Sequence, residues 1–343
     1  MVDLHKPIFV GGSGRSGTSI LAKFLSSHPD IVRPCDENKL IVEDGGLRTI
    51  IEKLSSPYDF KGNDQAIKAF LHWARTLRAE GFHWKPVDLI YRGTNKLSRK
   101  LLGRPVVSPE SLCRTFPFLI YSMTAVGESY GRAHYDASVN ALIESLVTTV
   151  DERGIFDTEG LVKPVYMADR FDREHLLELA RDFLMKLNSR KLEETGAVRW
   201  CDDTPANVRY AQFLTELYPE GKVIHIVRDP RDVVASYIGM PWASNTLDYT
   251  LDRLAHNFRT LMEIDAAASE GSYRQIRLED FVNDHAETMG RLSDFLDIDP
   301  NRFDDSVRLS SESFGRWQKS FDHEQKSKIE AKLAFAISHY GYL

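Results

Sequence analysis

Two short segments hold the residues whose types and spacing carry chemistry. The first is Gly11-Gly12-Ser13-Gly14-Arg15-Ser16-Gly17-Thr18-Ser19, preceded by the apolar run Pro7-Ile8-Phe9-Val10. Ile20, Leu21, Phe24 and Leu25 follow at helical spacing, so the segment reads as a tight turn between a buried strand and a helix. Such a turn aims backbone N–H groups at one point and adds the positive end of the helix dipole, a combination that binds phosphate or sulfate. The second segment is Val227-Arg228-Asp229-Pro230-Arg231-Asp232-Val233-Val234-Ala235-Ser236-Tyr237, directly after the apolar run 222–227. A guanidinium at a strand end makes charge-assisted bonds to a phosphate, and a hydroxyl in the next helix adds another. Open α/β sheets bind ligands at the carboxyl ends of their strands.

The spacing narrows the choice of anion. Gly12 to Gly17 matches the nucleoside-triphosphate loop, but Thr18 stands where that loop needs lysine, and the cation is Arg15 inside the turn. A P-loop kinase or nucleotidase would lack its contact to the β- and γ-phosphates. Gly12, Gly14 and Gly17 also fit a dinucleotide fingerprint, with Asp36 or Glu37 as the ribose carboxylate; this pattern is less specific.

Arg15-Ser16-Gly17-Thr18-Ser19 resembles the 5′-phosphosulfate loop of sulfotransferases that use 3′-phosphoadenosine 5′-phosphosulfate (PAPS). The local likeness is greatest to tyrosylprotein and heparan sulfate sulfotransferases, whose first helix also ends in His-Pro-Asp, here His28-Pro29-Asp30. Arg228 and Ser236, eight residues apart, resemble the pair that holds the 3′-phosphate in these families. Ser313-Phe314-Gly315-Arg316-Trp317-Gln318-Lys319 resembles their late loop over the nucleotide. The likeness covers residues 7–43, 197–240 and 274–320.

The resemblance implies a P-loop-like three-layer α/β fold with a central parallel sheet. It implies cofactor binding by Gly14, Arg15, Ser16, Gly17, Thr18, Ser19, Arg228, Ser236, Arg316 and Lys319, with PAPS as donor, 3′-phosphoadenosine 5′-phosphate (PAP) as product, and no metal. Trp317 either packs near the purine or anchors its loop. Sulfuryl transfer to an acceptor hydroxyl is then an in-line displacement in which positioning and electrostatics dominate. Arg15 neutralises charge on the leaving group. The general base is a carboxylate soon after the first helix. Glu37 has that place, with Asp36 and Glu43 as competitors. One departure is Trp200-Cys201-Asp202-Asp203-Thr204-Pro205, where Asp203 stands at a position commonly held by lysine. Another cation from the insertion compensates, or Arg15 works alone, or the acceptor is unusual; Lys39 is one candidate substitute. A catalytically inactive nucleotide-binding module is the remaining alternative. His225, in mid-strand, reads as a core histidine.

These residues need a scaffold. The chain has 343 residues, 44 Lys+Arg against 50 Asp+Glu, a net charge of −6 and 42% hydrophobic residues. That is a globular composition whose acidity argues against nucleic-acid binding. Strands expected at 7–10, 31–32, 197–200, 222–227 and 276–278 alternate with helices, including one over 204–217 and helices over 279–297, which implies helices on both faces of a parallel sheet. A single domain with a helical insertion over about 45–195 is expected. Two apolar helix stripes lie in the insertion, one formed by Val139, Leu142, Ile143, Leu146 and Val150 and the other by Leu176, Leu177, Leu179, Ala180, Phe183 and Leu184.

Residues 75–104 carry eight basic against two acidic side chains, with Phe82, Trp84 and Tyr91 interleaved. This suits an anionic or sugar acceptor, and equally a solvated helical face. The acceptor expected is a small-molecule, carbohydrate or peptide hydroxyl, with a carbohydrate or small metabolite favoured. Cys35, Cys113 and Cys201 form no disulfide or zinc pattern. With no apolar run of spanning length and no leader-like start, the expected location is the cytoplasm and the expected class a bacterial-type enzyme.

Overall fold

Strand β1 (Ile8–Gly11) is apolar on both faces, as a strand covered from both sides must be. In the computed structural model, which describes residues 6–78, 97, 126–156, 162–238, 240, 243, 246–304 and 307–343, β1 lies at the centre of a five-stranded parallel sheet. Its companions are β2 (Ile31–Val32), β5 (Arg199–Asp202), β6 (Lys222–Val227) and β7 (Tyr273–Arg277), in the order β2-β5-β1-β6-β7. Ile8 stands opposite Cys201 on one side and Lys222 on the other.

Alternate residues feed two cores. Phe9, Trp200 and Val223 join one, with Phe9 and Trp200 ring edge to face at 5.4 Å. Ile8, Val10, Cys201, Ile224 and Ile226 join the other. The second face is covered by α1 (Thr18–Leu25), and by two helices at 278–283 and 285–296, through Leu21, Leu25, Phe281 and Leu292. Each such side chain contributes about 1.5–3 kcal/mol by leaving water.

The segment expected to be a helical insertion contains α2 (Leu47–Leu54), α3 (Phe60–Arg78), α4 (Val126–Tyr130), α5 (Arg132–Leu146) and α6 (Arg173–Thr195). It also contains an antiparallel hairpin, β3 (Thr149–Phe156) and β4 (Val162–Met167), which corrects the helical reading. Val150 does not extend the stripe of α5. It pairs with Tyr166 in the hairpin and is 44% exposed. The β-branched run 147–150 explains the change, since such side chains lose rotamer freedom in a helix and fit a pleated strand. In α6 the stripe packs as expected, except that Leu179 is only half-buried.

The remaining elements are 3-10 helices at Pro205–Tyr210 and Pro300–Arg302, α7 (Ala211–Leu217), α8 (Pro230–Ile238), α9 (Leu247–Ala267), α10 (Leu278–Asn283), α11 (His285–Leu296), α12 (Arg316–Ser320) and α13 (His323–His339). The expected helix over 204–217 is therefore split. Thr204 donates its hydroxyl to Asp202 Oδ1 at 3.0 Å instead of capping. Strand β5 lies two residues later than expected, at 199–202. Its buried Arg199 donates to the carbonyls of Lys6 and Leu296.

His225 is fully buried. Its Nδ1 lies 2.7 Å from Asp265, which also accepts the hydroxyls of Tyr273 and Tyr340. Burial opposes ionisation of Asp265, but these bonds outweigh it and hold the carboxyl below its usual range. His225 is thus a core histidine, bonded through one ring nitrogen while Nε2 has no partner among the described residues. Among the described residues no helix is long and apolar enough to cross a membrane. Cys35 and Cys201 are buried free thiols, and Cys113 lies outside the described residues.

Candidate active site

The carboxyl ends of β1, β5 and β6 converge on the glycine-rich turn. Two of its glycines are forced by space and conformation. A Cβ on Gly12 would stand 2.2 Å from Ser16 Oγ and 2.6 Å from the Ile226 carbonyl. Gly14 has φ +76°, and its Cβ would meet the Tyr237 hydroxyl at 2.2 Å. Arg15 follows at φ 59° without glycine's freedom, a strain of about 1–2 kcal/mol that the surroundings must hold.

They do so from α8 and α9. Tyr237 donates its hydroxyl to the Ser13 carbonyl at 2.9 Å, and Asn257 Nδ2 donates to the same carbonyl at 3.2 Å. Arg15 Nε donates to Ser236 Oγ at 3.1 Å across 221 positions of sequence. Arg228 Nη1 donates to the Arg15 carbonyl at 3.4 Å. The structure therefore brings the two sequence segments into direct contact.

Two buried polar atoms here have no partner among the described residues: Ser16 Oγ, in a residue with no exposed surface, and Arg228 Nε. Leaving such groups unsatisfied costs about 1–3 kcal/mol each. Burial pushes the Arg228 pKa down, against Asp232 and Glu279, and the positive charges of Arg316 and Arg15 push it the same way. Arg228, with the charges of Arg15 and Arg316 acting on it, and the orphaned polar atoms beside it suit an oxyanion.

Arg316 comes from the late loop. Arg228 Nη2 donates to the Ser313 carbonyl at 2.6 Å. Asp232 accepts the backbone N–H groups of Gly315 and Trp317 at 2.8 and 2.9 Å. Trp317 is buried, with the Arg231 guanidinium 4.5 Å from its ring centroid. Of its two expected roles, these contacts describe the anchor. Arg316 and Lys319 are exposed, as are Arg15 and Ser19, whereas Thr18 is buried at the start of α1.

The carboxylates lie on the β5 side. Glu37 has φ 49° and donates its N–H to Asp203 Oδ1 at 3.1 Å. Asp203, wholly buried, also accepts two bonds from Arg33, at 3.0 and 2.7 Å. The residue found where lysine is common thus clamps the segment that carries Glu37. Lys39 Nζ is 2.9 Å from Glu37 Oε2, which puts a cation beside the carboxylate. Asp36 is mostly exposed and paired with Arg33 at 2.6 Å. Burial raises the pKa of Glu43, against the nearby charge of Lys39. The Tyr237 hydroxyl, bonded to the glycine turn, feels the charges of both sides of the site. Burial raises its pKa, Arg253, Arg209 and Arg15 oppose this, and Glu37 adds to it.

Asp202 gives a pH prediction. It accepts from the Asn38 N–H at 2.7 Å and from Asn207 Nδ2 at 2.8 Å. Burial, and then the charge of Asp203, still push its pKa up to about 7. A carboxyl raised on folding contributes stability that is complete below its unfolded value, roughly pH 4, and lost as pH rises through the folded value. Urea unfolding of the wild type, compared with Asp202→Asn, should show an extra loss of stability between about pH 4 and pH 7. Parallel pH profiles would contradict this.

Sequence reasoning assigned no role to Tyr237, Asn257, Asp232, Arg209 or Arg253. Tyr237 and Asp232 stand inside the second segment, where their one signal was proximity to Arg228 and Ser236. Arg253 and Asn257 lie one turn apart on α9 with no motif around them. Of the basic segment 75–104, only residues 75–78 and 97 are among those described, and there Arg78 donates to Asp136 at 2.7 Å. The rest of that segment lies outside the described residues.

The sequence profile of the sulfotransferase family matches residues 7–305. No curated protein matches the sequence. Solved structures similar to this chain include the sulfotransferase domain from the Synechococcus PCC 7002 olefin synthase, 16% identical, with 94% of this chain and 82% of that chain covered and a TM-score of 0.43. The sulfotransferase domain from the curacin biosynthetic pathway is 12% identical, with 96% and 97% covered and a TM-score of 0.45. Sulfotransferase STF9 from Mycobacterium avium is 13% identical, with 99% and 77% covered and a TM-score of 0.42.

Proposed function

The chain belongs to the sulfotransferase family, and on that premise we propose that it transfers the sulfuryl group of PAPS to an acceptor hydroxyl. PAPS supplies that group on a phosphate leaving group. The observation that carries the reading is a pair of buried atoms without a partner among the described residues, Ser16 Oγ and Arg228 Nε, where the charges of Arg15 and Arg316 act on Arg228.

In this reading the N–H groups of residues 14–18 and the Ser16 hydroxyl hold the 5′-phosphosulfate. Arg228 and Ser236 hold the 3′-phosphate, with Arg316 and Lys319 closing from the late loop. Arg15 stabilises the charge that develops on the leaving phosphate, and a guanidinium stays charged at any working pH. Glu37 accepts the acceptor's proton, with Asp203 fixing its backbone and Lys39 orienting its carboxylate. Asp203 thus does not replace the missing lysine; Lys39 is the cation on that side. The insertion helices share a hydrophobic core with one sheet face, which favours one domain.

The test is incubation with sulfur-labelled PAPS and a panel of sugars, phenols and tyrosyl peptides. Label should pass to a panel member with release of PAP. Glu37→Gln should lower kcat by about 10²–10⁴, the range for a general base, while PAP affinity is kept. Phosphoryl transfer from ATP without transfer from PAPS would contradict the proposal.

A further inference from the structure

We infer that the acceptor carries an anionic group (a carboxylate, sulfate or phosphate ester) and that Arg209 and Arg253 seat it beside the reacting hydroxyl. The inference rests on the sulfuryl transfer proposed above and names the class of its second substrate.

Both arginines are tied to the rim of the glycine turn. Arg209, at the end of the 3-10 helix that follows β5, donates to Asn257 Oδ1 at 2.7 Å, and Asn257 in turn donates to the Ser13 carbonyl. The Arg253 guanidinium lies 5.1 Å from the ring centroid of Tyr237, whose hydroxyl donates to the same carbonyl. Each cation therefore stands one side chain away from a single carbonyl of the anion-binding loop. Arg209 also acts on Glu43, which places it toward the carboxylate side of the site.

The two are surplus to the nucleotide, whose phosphates have Arg15, Arg228 and Arg316. They are exposed, and among the described residues neither has a carboxylate within ion-pair distance. Other arginines of the protein close on acids: Arg173 on Glu216, Arg190 on Glu194 and Arg302 on Asp30. Asn257 and the Tyr237 ring hold the two guanidiniums without neutralising them. Planar guanidiniums held in this way suit bidentate capture of an oxyanion. Glu43, the acid on which Arg209 acts, also feels the charge of Lys39, and Lys39 is paired with Glu37. An anionic acceptor held by Arg209 and Arg253 would bring its hydroxyl to Glu37.

The test uses two probes that differ in one carboxylate, 4-nitrophenyl β-D-glucuronide and 4-nitrophenyl β-D-glucoside. Each is titrated calorimetrically into the protein saturated with PAP. The glucuronide should bind about tenfold tighter or more, the worth of one charge-assisted hydrogen bond. The double variant Arg209→Gln/Arg253→Gln should bring the two probes within about twofold of each other and leave PAP affinity unchanged. Equal binding of the probes, binding of neither, a preference that survives the double variant, or a loss of PAP affinity in that variant would each overturn the inference. Failure of the sulfotransferase reading is seen separately, as absence of PAP binding to the wild type.

Discussion

Arg15→Ala should lower kcat for sulfuryl transfer by about a thousandfold while the protein remains folded. Removing one preorganised donor to a developing oxyanion costs about 10²–10³, and a full arginine charge costs more. The geometry explains why the backbone would tolerate the change. Arg15 sits at φ 59°, and the turn around it is fixed by Tyr237, Asn257 and Arg228 acting on main-chain carbonyls, not on its side chain. Arg15→Gly removes the conformational strain as well as the charge, so its melting temperature should equal or exceed that of the wild type, with activity equally low. Arg15→Lys keeps a charge but loses the Nε bond to Ser236, and should recover part of the rate. Single-turnover rates measured beside melting curves separate these outcomes. A loss of tenfold or less in Arg15→Ala would remove Arg15 from the chemistry.

The second large effect is on nucleotide affinity. Arg228→Ala should weaken PAP binding by about tenfold to a hundredfold, from the loss of a buried, charge-assisted donor. Affinity for 5′-AMP, which lacks the 3′-phosphate, should change far less. Arg228 also donates to the Ser313 and Arg15 carbonyls, so Ser236→Ala, which leaves the late loop untouched, is the complementary variant and should act in the same direction with a smaller size. Calorimetric titration of both variants with PAP and AMP reads the difference. Equal losses for the two nucleotides would mean that Arg228 supports the loop instead of the 3′-phosphate.

Much of this site was legible because a few residues carry strong local constraints. A strand apolar on both faces, a run of glycines and a helix start leave little choice for residues 8–25. The same holds for 222–238, where strand β6 has the expected bounds. The pairing of Arg15 with Ser236 spans 221 positions, and only the resemblance to a family put those segments together. Other features depend on partners that local patterning does not reveal. The β3–β4 hairpin is stabilised by each strand's pairing with the other, so Val150 looked like one more helix position. Asp203 looked like a defect in the catalytic pattern until Arg33 and the Glu37 N–H appeared around it. Arg209 and Arg253 meet at the Ser13 carbonyl only through Asn257 and Tyr237, a convergence of four elements. The net charge of −6 is likewise no guide to a site in which three arginines crowd together.

The central claim is that this loop and strand end hold the nucleotide of PAPS, and thermal unfolding in the presence of PAP and of ATP tests it most directly. PAP at a hundred times its Kd should stabilise the protein by about 2.7 kcal/mol, with ATP at the same concentration giving a clearly smaller shift. Stabilisation by ATP and none by PAP would contradict the account.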